Sequence, residues 1–179
     1  MPILPDILEP NLAVVFCGSA AGNVSAARGA YYAHPQNRFW RALHEVGLTD
    51  RLLAPEEFRL LPRWRIGLTD LAKEVSGLDA QIGTAGDDPD ALRARILLVR
   101  PRILAFAAKR PGAAFIRHVF GRRAVEYGWQ AETLDGVRLF VLPSPSPAAV
   151  RYWDIGPWRA LAEAVRDADD GPATGGGGA

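Results

Sequence analysis

The feature that most constrains the fold is a charge-free apolar run that leads directly into a turn of small residues. The run, Leu12 to Phe16, contains two β-branched residues and predicts a buried strand. Gly18 follows it, and the next four residues are Ser, Ala, Ala and Gly. Small side chains leave backbone N–H groups open to another molecule. The pattern therefore indicates either a ligand-binding turn or an ordinary connection from a strand to a helix.

Strand and helix patterns then alternate along the chain, which predicts a parallel sheet covered by helices on both faces. Ligands of such sheets lie beyond the carboxyl ends of the strands. Gly18, Asp70 and Ser144 each follow a predicted strand, so we expect them at one edge of the sheet. The predicted strands after the first are Trp64–Leu71, Ile103–Ala107 and Arg138–Leu142, and the clearest predicted helices are Asp90–Val99, Lys109–Phe120 and Pro157–Val165.

Length and composition predict one domain over residues 1–170, followed by a disordered Gly-rich tail over 171–179. The first nine residues, with two prolines, are expected to lie over the surface. The net charge of +1 gives no overall basic field that would indicate a nucleic-acid partner. The single cysteine excludes an internal disulfide, and no apolar run is long enough to span a membrane. We expect a cytoplasmic monomer without a metal or other cofactor.

Three segments resemble motif blocks of the mismatch-specific uracil-DNA glycosylases, a branch of the uracil-DNA glycosylase superfamily. The first runs from Gly18 through Tyr32-Ala33-His34-Pro35 to Asn37-Arg38-Phe39-Trp40, with the spacing of the family. The second is Ile66–Leu71, and the third is Leu142–Pro147. The resemblance implies a three-layer α/β/α sandwich with a central four-stranded parallel sheet.

The resemblance also implies an activity. Such enzymes flip a nucleotide out of the duplex, because a stacked base cannot be reached by a catalytic group. We expect excision of uracil from mismatches with guanine, and from single strands, by hydrolysis of the N-glycosidic bond in base excision repair. No lysine stands in the matched motifs as a Schiff-base nucleophile, so we expect an abasic product without strand cleavage.

The resemblance places the base pocket in the first block. Tyr32 matches the aromatic residue on which the base stacks, and Asn37 either contributes to the pocket or caps the helix that follows. The backbone of the small-residue turn is expected to contact the base carbonyls. The turn consists of Gly18, Ser19, Ala20, Ala21 and Gly22.

The chain departs from the family at Ala20, where the best-known members have an asparagine that positions the attacking water. Asp70 is the candidate replacement. Its carboxylate either positions water and stabilises the sugar cation, as carboxylates do in glycoside hydrolysis, or accepts the N3–H of uracil. The alternative is a structural role as the cap of a helix over Leu71–Val75.

The third block runs into the segment Ser144–Ala149, which we call the Ser-Pro loop and which matches the family segment that contacts phosphate and enters the duplex. Ala148 stands where a bulky apolar wedge is usual, so Val150 or Tyr152 is a candidate for that role. The predicted DNA-binding residues of the loop are Ser144, Pro145, Ser146, Pro147, Ala148 and Ala149.

Two other functions fit the same residues. The run from Tyr31 to Asn37 also resembles hypoxanthine-DNA glycosylases of the superfamily, which predicts excision of other deaminated bases. The absence of an amide at Ala20 is equally consistent with a lesion-binding protein that does not turn over.

Overall fold

The computed structural model describes residues 1–78, 83–84 and 86–169, so the predicted tail at 171–179 lies outside the described residues. Two 3₁₀ segments, Pro55–Trp64 and Pro147–Tyr152, accompany the helices and strands. The elements in chain order are β1 (Val14–Gly18), α1 (Asn23–Arg28), α2 (Phe39–Glu45), β2 (Ile66–Asp70), α3 (Pro89–Val99), β3 (Ile103–Phe106), α4 (Lys109–Phe120), β4 (Gly128–Leu134), β5 (Val137–Val141) and α5 (Gly156–Asp169).

The described strands form one five-stranded sheet in the order β2-β1-β3-β5-β4. The first four are parallel, and β4 pairs with β5 in the antiparallel direction. The expectation of a four-stranded parallel sheet was therefore wrong by one edge strand. The hairpin that adds β4 turns at Asp135 and Gly136, whose φ angles of 46° and 87° are typical of a two-residue hairpin turn.

Alternate side chains of the central strand enter two separate cores. Val14 and Phe16 of β1 pack with residues of α2 and α5, while Val15 and Cys17 pack with residues of α3 and α4. Because successive side chains of a strand point to opposite faces, both faces of the sheet are covered by helices. This arrangement is a three-layer α/β/α sandwich.

The amino-terminal segment does not simply lie over the surface, as the sequence had suggested. Leu4 is buried, and Ile7 exchanges backbone hydrogen bonds with Leu68 of β2, at N···O distances of 2.9 and 3.0 Å. The segment therefore covers the outer edge of β2, where backbone groups would otherwise lack partners. It also brings Asp6 next to the end of that strand.

None of the helices that the structure describes is long and apolar enough to cross a membrane.

Candidate active site at the carboxyl edge of the sheet

The parallel strands β2, β1, β3 and β5 end at one edge of the sheet, which we call the carboxyl edge. Gly18 and Asp70 are paired in register as the last residues of β1 and β2. The backbone N–H groups of Leu71 and Ala72 donate to the carbonyls of Gly18 and Ser19, at 2.8 and 2.7 Å. The ends of the first two strands are therefore fixed side by side.

Gly18 is required at this position by space rather than by backbone conformation. A Cβ atom built on Gly18 would lie 2.7 Å from Oδ1 of Asp70 and 3.2 Å from the hydroxyl of Tyr32. The first distance is shorter than a van der Waals contact permits. Only a bare Cα leaves room for the carboxylate in its present position.

Asp70 is a buried carboxylate whose charge is poorly solvated. Its side chain and backbone are 4% exposed, and burial raises the pKa of the carboxyl to about 6. The nearby Lys73 and Arg95 lower the pKa, whereas Asp6 raises it. Among the described residues, none donates a hydrogen bond to the Asp70 carboxylate, so its oxygens keep their capacity to accept one.

Four side chains behind Asp70 form a group that we call the Asp6 cluster: Asp6, Thr69, Lys73 and Arg95. The Asp6 carboxylate accepts from the hydroxyl of Thr69 at 2.7 Å and pairs with Nζ of Lys73 at 2.9 Å and Nε of Arg95 at 3.3 Å. Nη2 of Arg95 also donates to the backbone carbonyl of Asp70 at 2.9 Å. The cluster therefore holds the end of β2 and places opposite charges around the carboxylate.

The sequence did not indicate two members of this cluster. Asp6 lies in a segment without helical or strand periodicity, so nothing in its surroundings predicts a contact with the end of β2. Arg95 lies within the predicted helix Asp90–Val99, three residues after the buried Leu92, and its side chain reaches the backbone carbonyl of Asp70. Residues three apart on a helix are neighbours, so an arginine three residues after a buried leucine gives a weak indication that its side chain lies near the core.

Tyr32 contributes an aromatic ring and a buried hydroxyl. The ring stacks on Phe39 of α2, with centroids 4.0 Å apart and planes inclined by 21°. Part of the residue remains exposed, while its hydroxyl is buried and forms no hydrogen bond within the described part of the protein. Burial, with the Asp70 charge as a smaller cause, raises the pKa of Tyr32 well above its usual range. The hydroxyl is therefore protonated and available as a donor.

Tyr32 also has an unusual backbone conformation. Its φ angle is 51°, in the left-handed region that a bulky residue rarely adopts. Such strain persists only where the surroundings determine the conformation, and it is frequent at functional sites. Here it accompanies a hydroxyl directed toward Gly18 and Asp70.

The rest of the small-residue turn is only partly accessible. Ser19 and Ala20 are half-buried, and Ala21 is buried, with its carbonyl accepting from the backbone N–H of Gly77 at 2.9 Å. Gly22 precedes α1, and a Cβ atom on it would contact nothing within 4 Å. The turn therefore presents mainly Ser19 and Ala20 to an approaching molecule.

Asn37 has a structural contact in addition to its position in the matched motif. Its Oδ1 atom accepts from the backbone N–H of Phe39 at 2.9 Å, a local turn that leads into the start of α2. It also lines a hollow of about 280 Å³ together with Tyr32 and Trp40. This hollow is bounded by Leu52 and is not lined by Asp70.

The helix-cap alternative for Asp70 is wrong. Residues 71–75 form bends and an isolated bridge instead of a helix, and Asp70 itself is the last residue of β2. The carboxylate therefore has no helix start to cap.

The Ser-Pro loop follows β5 at the same edge of the sheet. It is anchored by Nε1 of Trp158, which donates to the carbonyl of Pro143 at 3.1 Å. The hydroxyls of Ser144 and Ser146 accept from backbone N–H groups two residues further on, at 3.2 and 3.3 Å. These local bonds make the loop stiff, in the way that serine turns do.

The Ser-Pro loop presents small residues near its tip and larger apolar ones just beyond it. Ala148 is exposed, Pro147 and Ala149 are half-buried, and Pro145 is buried. Val150 and Tyr152 are 54% and 61% exposed. Solvent-exposed apolar side chains of this size on a loop at the candidate site are suited to insertion between bases.

No group of three or more metal-ligating side chains occurs in the described ranges. Lys73 is committed to its contacts with Asp6 and with the hydroxyl of Tyr31, which lies 3.0 Å from Nζ. The chemistry of the carboxyl edge is therefore that of one buried carboxylate beside a neutral phenol.

Comparison with known proteins agrees with this fold. The chain matches the model of the uracil DNA glycosylase superfamily over residues 5–167. It belongs to that superfamily. It is also similar in structure to a candidate uracil DNA glycosylase from Methanosarcina acetivorans, solved by NMR in solution, with a TM-score of 0.64. The two sequences are 24% identical, and the match covers 91% of this chain and 96% of the other.

Proposed function

We propose that this protein is a monofunctional DNA glycosylase that excises uracil, with Asp70 as its catalytic carboxylate. The observation that carries the proposal is a buried carboxylate with no hydrogen-bond donor among the described residues, beside the bare Cα of Gly18. Membership of the superfamily supports DNA as the substrate class and base excision as the reaction.

The reaction requires a cation to be stabilised. When the C1′–N1 bond of deoxyuridine breaks, its electron pair leaves with the base and positive charge develops on the sugar. A carboxylate in a poorly solvated site stabilises such charge more strongly than one in water. Water then forms a bond to C1′, and the proton that it loses passes to Asp70 and finally to the departing uracil anion. Asp70 must be ionised for this role, which requires a pH above about 6.

Ala20 cannot position the water through a hydrogen bond, because its side chain is a methyl group. Asp70 lies across the paired strand ends from the same turn, and its free oxygens are acceptors for a water O–H. One side chain therefore supplies both the charge and the orientation of the water. Tyr32 provides the ring on which the base stacks, and that ring is held by its own stacking on Phe39.

Two features support an abasic product without strand cleavage. Strand cleavage by a glycosylase proceeds through an amine nucleophile, and the ammonium of Lys73 is held by Asp6. Lys109, the other lysine of the chain, pairs with Glu126 at 3.5 Å at the start of α4.

Hypoxanthine is the second candidate substrate, and the free acceptor at Asp70 is compatible with it as well as with uracil. Uracil and hypoxanthine both carry a ring N–H next to a carbonyl, and an ionised carboxylate accepts from such an N–H. If Asp70 reads that group, then both bases fit the site. We give priority to uracil, because all three motif blocks resemble those of the mismatch-specific uracil-DNA glycosylases.

A lesion panel tests these proposals. Oligonucleotides with uracil or hypoxanthine, opposite guanine or adenine or in single strands, are incubated with excess protein, and released base is measured by mass spectrometry. We expect free uracil and alkali-labile sites, with an intact strand until alkali is added. Release of hypoxanthine without release of uracil would show that the protein is a hypoxanthine-DNA glycosylase. Binding without release of any base would identify a lesion-binding protein.

A further inference from the structure

A second hollow lies between the first motif block and the Ser-Pro loop. Its volume is about 310 Å³. The two walls are tied together by the backbone N–H of Arg38, which donates to the carbonyl of Pro145 at 2.9 Å. The hollow is lined by Pro35, Gln36, Arg38, Arg41, Pro147 and Val150, and we call it the Arg38–Arg41 hollow.

Its charge comes entirely from arginine. Neither Arg38 nor Arg41 has an acidic partner within ion-pair distance among the described residues, whereas several surface arginines of the chain do, such as Arg159 with Glu45 at 3.2 Å. The guanidinium of Arg38 lies 5.7 Å from the ring of Trp153. Nη2 of Arg41 has only a long contact of 3.4 Å with the carbonyl of Asn37. Most donors of both groups are therefore free for an anion.

The Ser-Pro loop cannot supply this charge itself. Residues Ser144 to Ala149 contain no cation, and both hydroxyls already accept backbone N–H groups. A neutral hydroxyl can donate to a phosphate oxygen, but it releases no counterion. The cations that line the adjoining hollow are Arg38 and Arg41.

We propose that the Arg38–Arg41 hollow binds a backbone phosphate of the DNA strand whose base enters the site. The inference rests on the proposed function, since it takes DNA as the ligand. An arginine fork matches two phosphate oxygens at once, and two forks on one hollow hold the strand against the Ser-Pro loop. Val150 lines the same hollow, so the phosphate and the candidate wedge lie next to each other.

The site predicts a specific dependence on salt. Each phosphate that a protein neutralises contributes a slope of about −0.9 to the plot of log K against log salt concentration on duplex DNA. Phosphate contacts carry no base information, so their loss weakens binding to damaged and undamaged DNA alike.

The experiment measures binding to a duplex that carries 2′-fluorinated deoxyuridine, which resists excision, from low to physiological salt. The variants are Arg41→Gln, Arg38→Gln and the double variant. Arg93→Gln is the matched control, because Arg93 is exposed on α3 and lies outside the hollow. We expect Arg41→Gln to reduce the salt slope by about 1, the double variant to reduce it further, and the control to keep the slope of the native protein.

A slope in Arg41→Gln and in the double variant equal to that of the native protein would overturn the proposal. Arg41 is exposed, so Arg41→Gln tests the proposal even if Arg38→Gln perturbs the loop. The outcomes also separate the two proposals. Salt-dependent binding that falls with these variants, without excision of any base, supports the phosphate site and overturns the glycosylase. Excision of a base by variants whose salt slopes equal that of the native protein supports the glycosylase and overturns the phosphate site.

Discussion

The two halves of the carboxyl edge are built in opposite ways. At the ends of β1 and β2, Asp70 is 4% exposed and surrounded by the charges of the Asp6 cluster. After β5, the Ser-Pro loop is uncharged, satisfies its own hydroxyls and leads to the exposed Val150 and Tyr152. Burial changes the protonation of an acid, whereas exposure lets side chains enter a duplex. On the proposed function, this difference fits chemistry in the first half and contact with DNA in the second.

The largest expected effect is on chemistry in the first half. Asp70→Ala removes an interaction made mainly in the transition state, so we expect the single-turnover excision rate to fall by about 100-fold or more while lesion binding is retained. Rapid-quench kinetics with enzyme in excess measures the rate. Asp167→Ala on α5, where the side chain is exposed, is the control. If Asp70→Ala lost excision rate and lesion affinity to the same extent, Asp70 would contribute to binding as much as to chemistry, and the division of roles between the two halves would be wrong.

The next effect is on stability and its dependence on pH. The pKa of Asp70 rises from about 3.8 to about 6 on folding, so the folded protein binds the proton more tightly than the unfolded chain. Stability from this group is therefore present at low pH and is lost as the pH rises from about 4 to above 6. An asparagine at position 70 does not ionise, so Asp70→Asn does not lose stability as the pH rises. We expect the free energy of unfolding of this variant at pH 8 to exceed that of the native protein by about 2–3 kcal/mol.

Urea denaturation at several pH values measures this difference. The stability gap should close as the pH falls toward 4, and Asp167→Asn should show no gap. A variant that is less stable than the native protein at pH 8 would mean that the Asp6 cluster stabilises the ionised carboxylate more than burial destabilises it.

Gly18→Ala tests the contact between the two strand ends. A Cβ atom would lie 2.7 Å from Oδ1 of Asp70, so the carboxylate must move. We expect the single-turnover rate to fall by about tenfold, since small displacements of a catalytic group are costly. Gly22→Ala is the matched comparison, because its Cβ meets nothing within 4 Å, and it should lose less. Equal losses for the two glycines would remove the spatial explanation for Gly18.

The smallest effect is expected in the second half. Val150→Ala and Tyr152→Ala should each lower excision from duplex DNA by about threefold, because a wedge helps to unstack the duplex. Excision from single strands should not change, since there is no duplex to open. Leu98→Ala, 86% exposed on α3, is the control. Losses that are equal on single and double strands would argue against a wedge.

The parts of the fold that follow from local pattern were predictable. The helix over Lys109–Phe120 and the buried run before Gly18 both follow from apolar periodicity and from glycine at their ends. The antiparallel edge strand, β4, was not predicted. Most of its residues are half-exposed or exposed, so its sequence lacks the apolar run of the buried strands. Its one clear signal was the Asp135-Gly136 pair, which is typical of a hairpin turn.

The candidate site was predictable only in part. The motif spacing indicated Gly18, Tyr32 and Asp70, and the structure brings these three together. Asp6 could not be predicted, because its contact with Thr69 spans 63 residues and depends on how the amino-terminal segment pairs with β2. Contacts of that kind arise from tertiary packing and leave no periodic trace in the sequence.

The most direct test of the central claim is single-turnover excision of uracil by Asp70→Asn, with binding measured on the same protein. The amide keeps the size of the side chain and its acceptor oxygen but removes the negative charge. If the charge of Asp70 stabilises the sugar cation, excision will fall by about as much as in Asp70→Ala, while affinity for the lesion is kept. Excision near the rate of the native protein would contradict this claim, because it would show that Asp70 needs only to accept a hydrogen bond from the base.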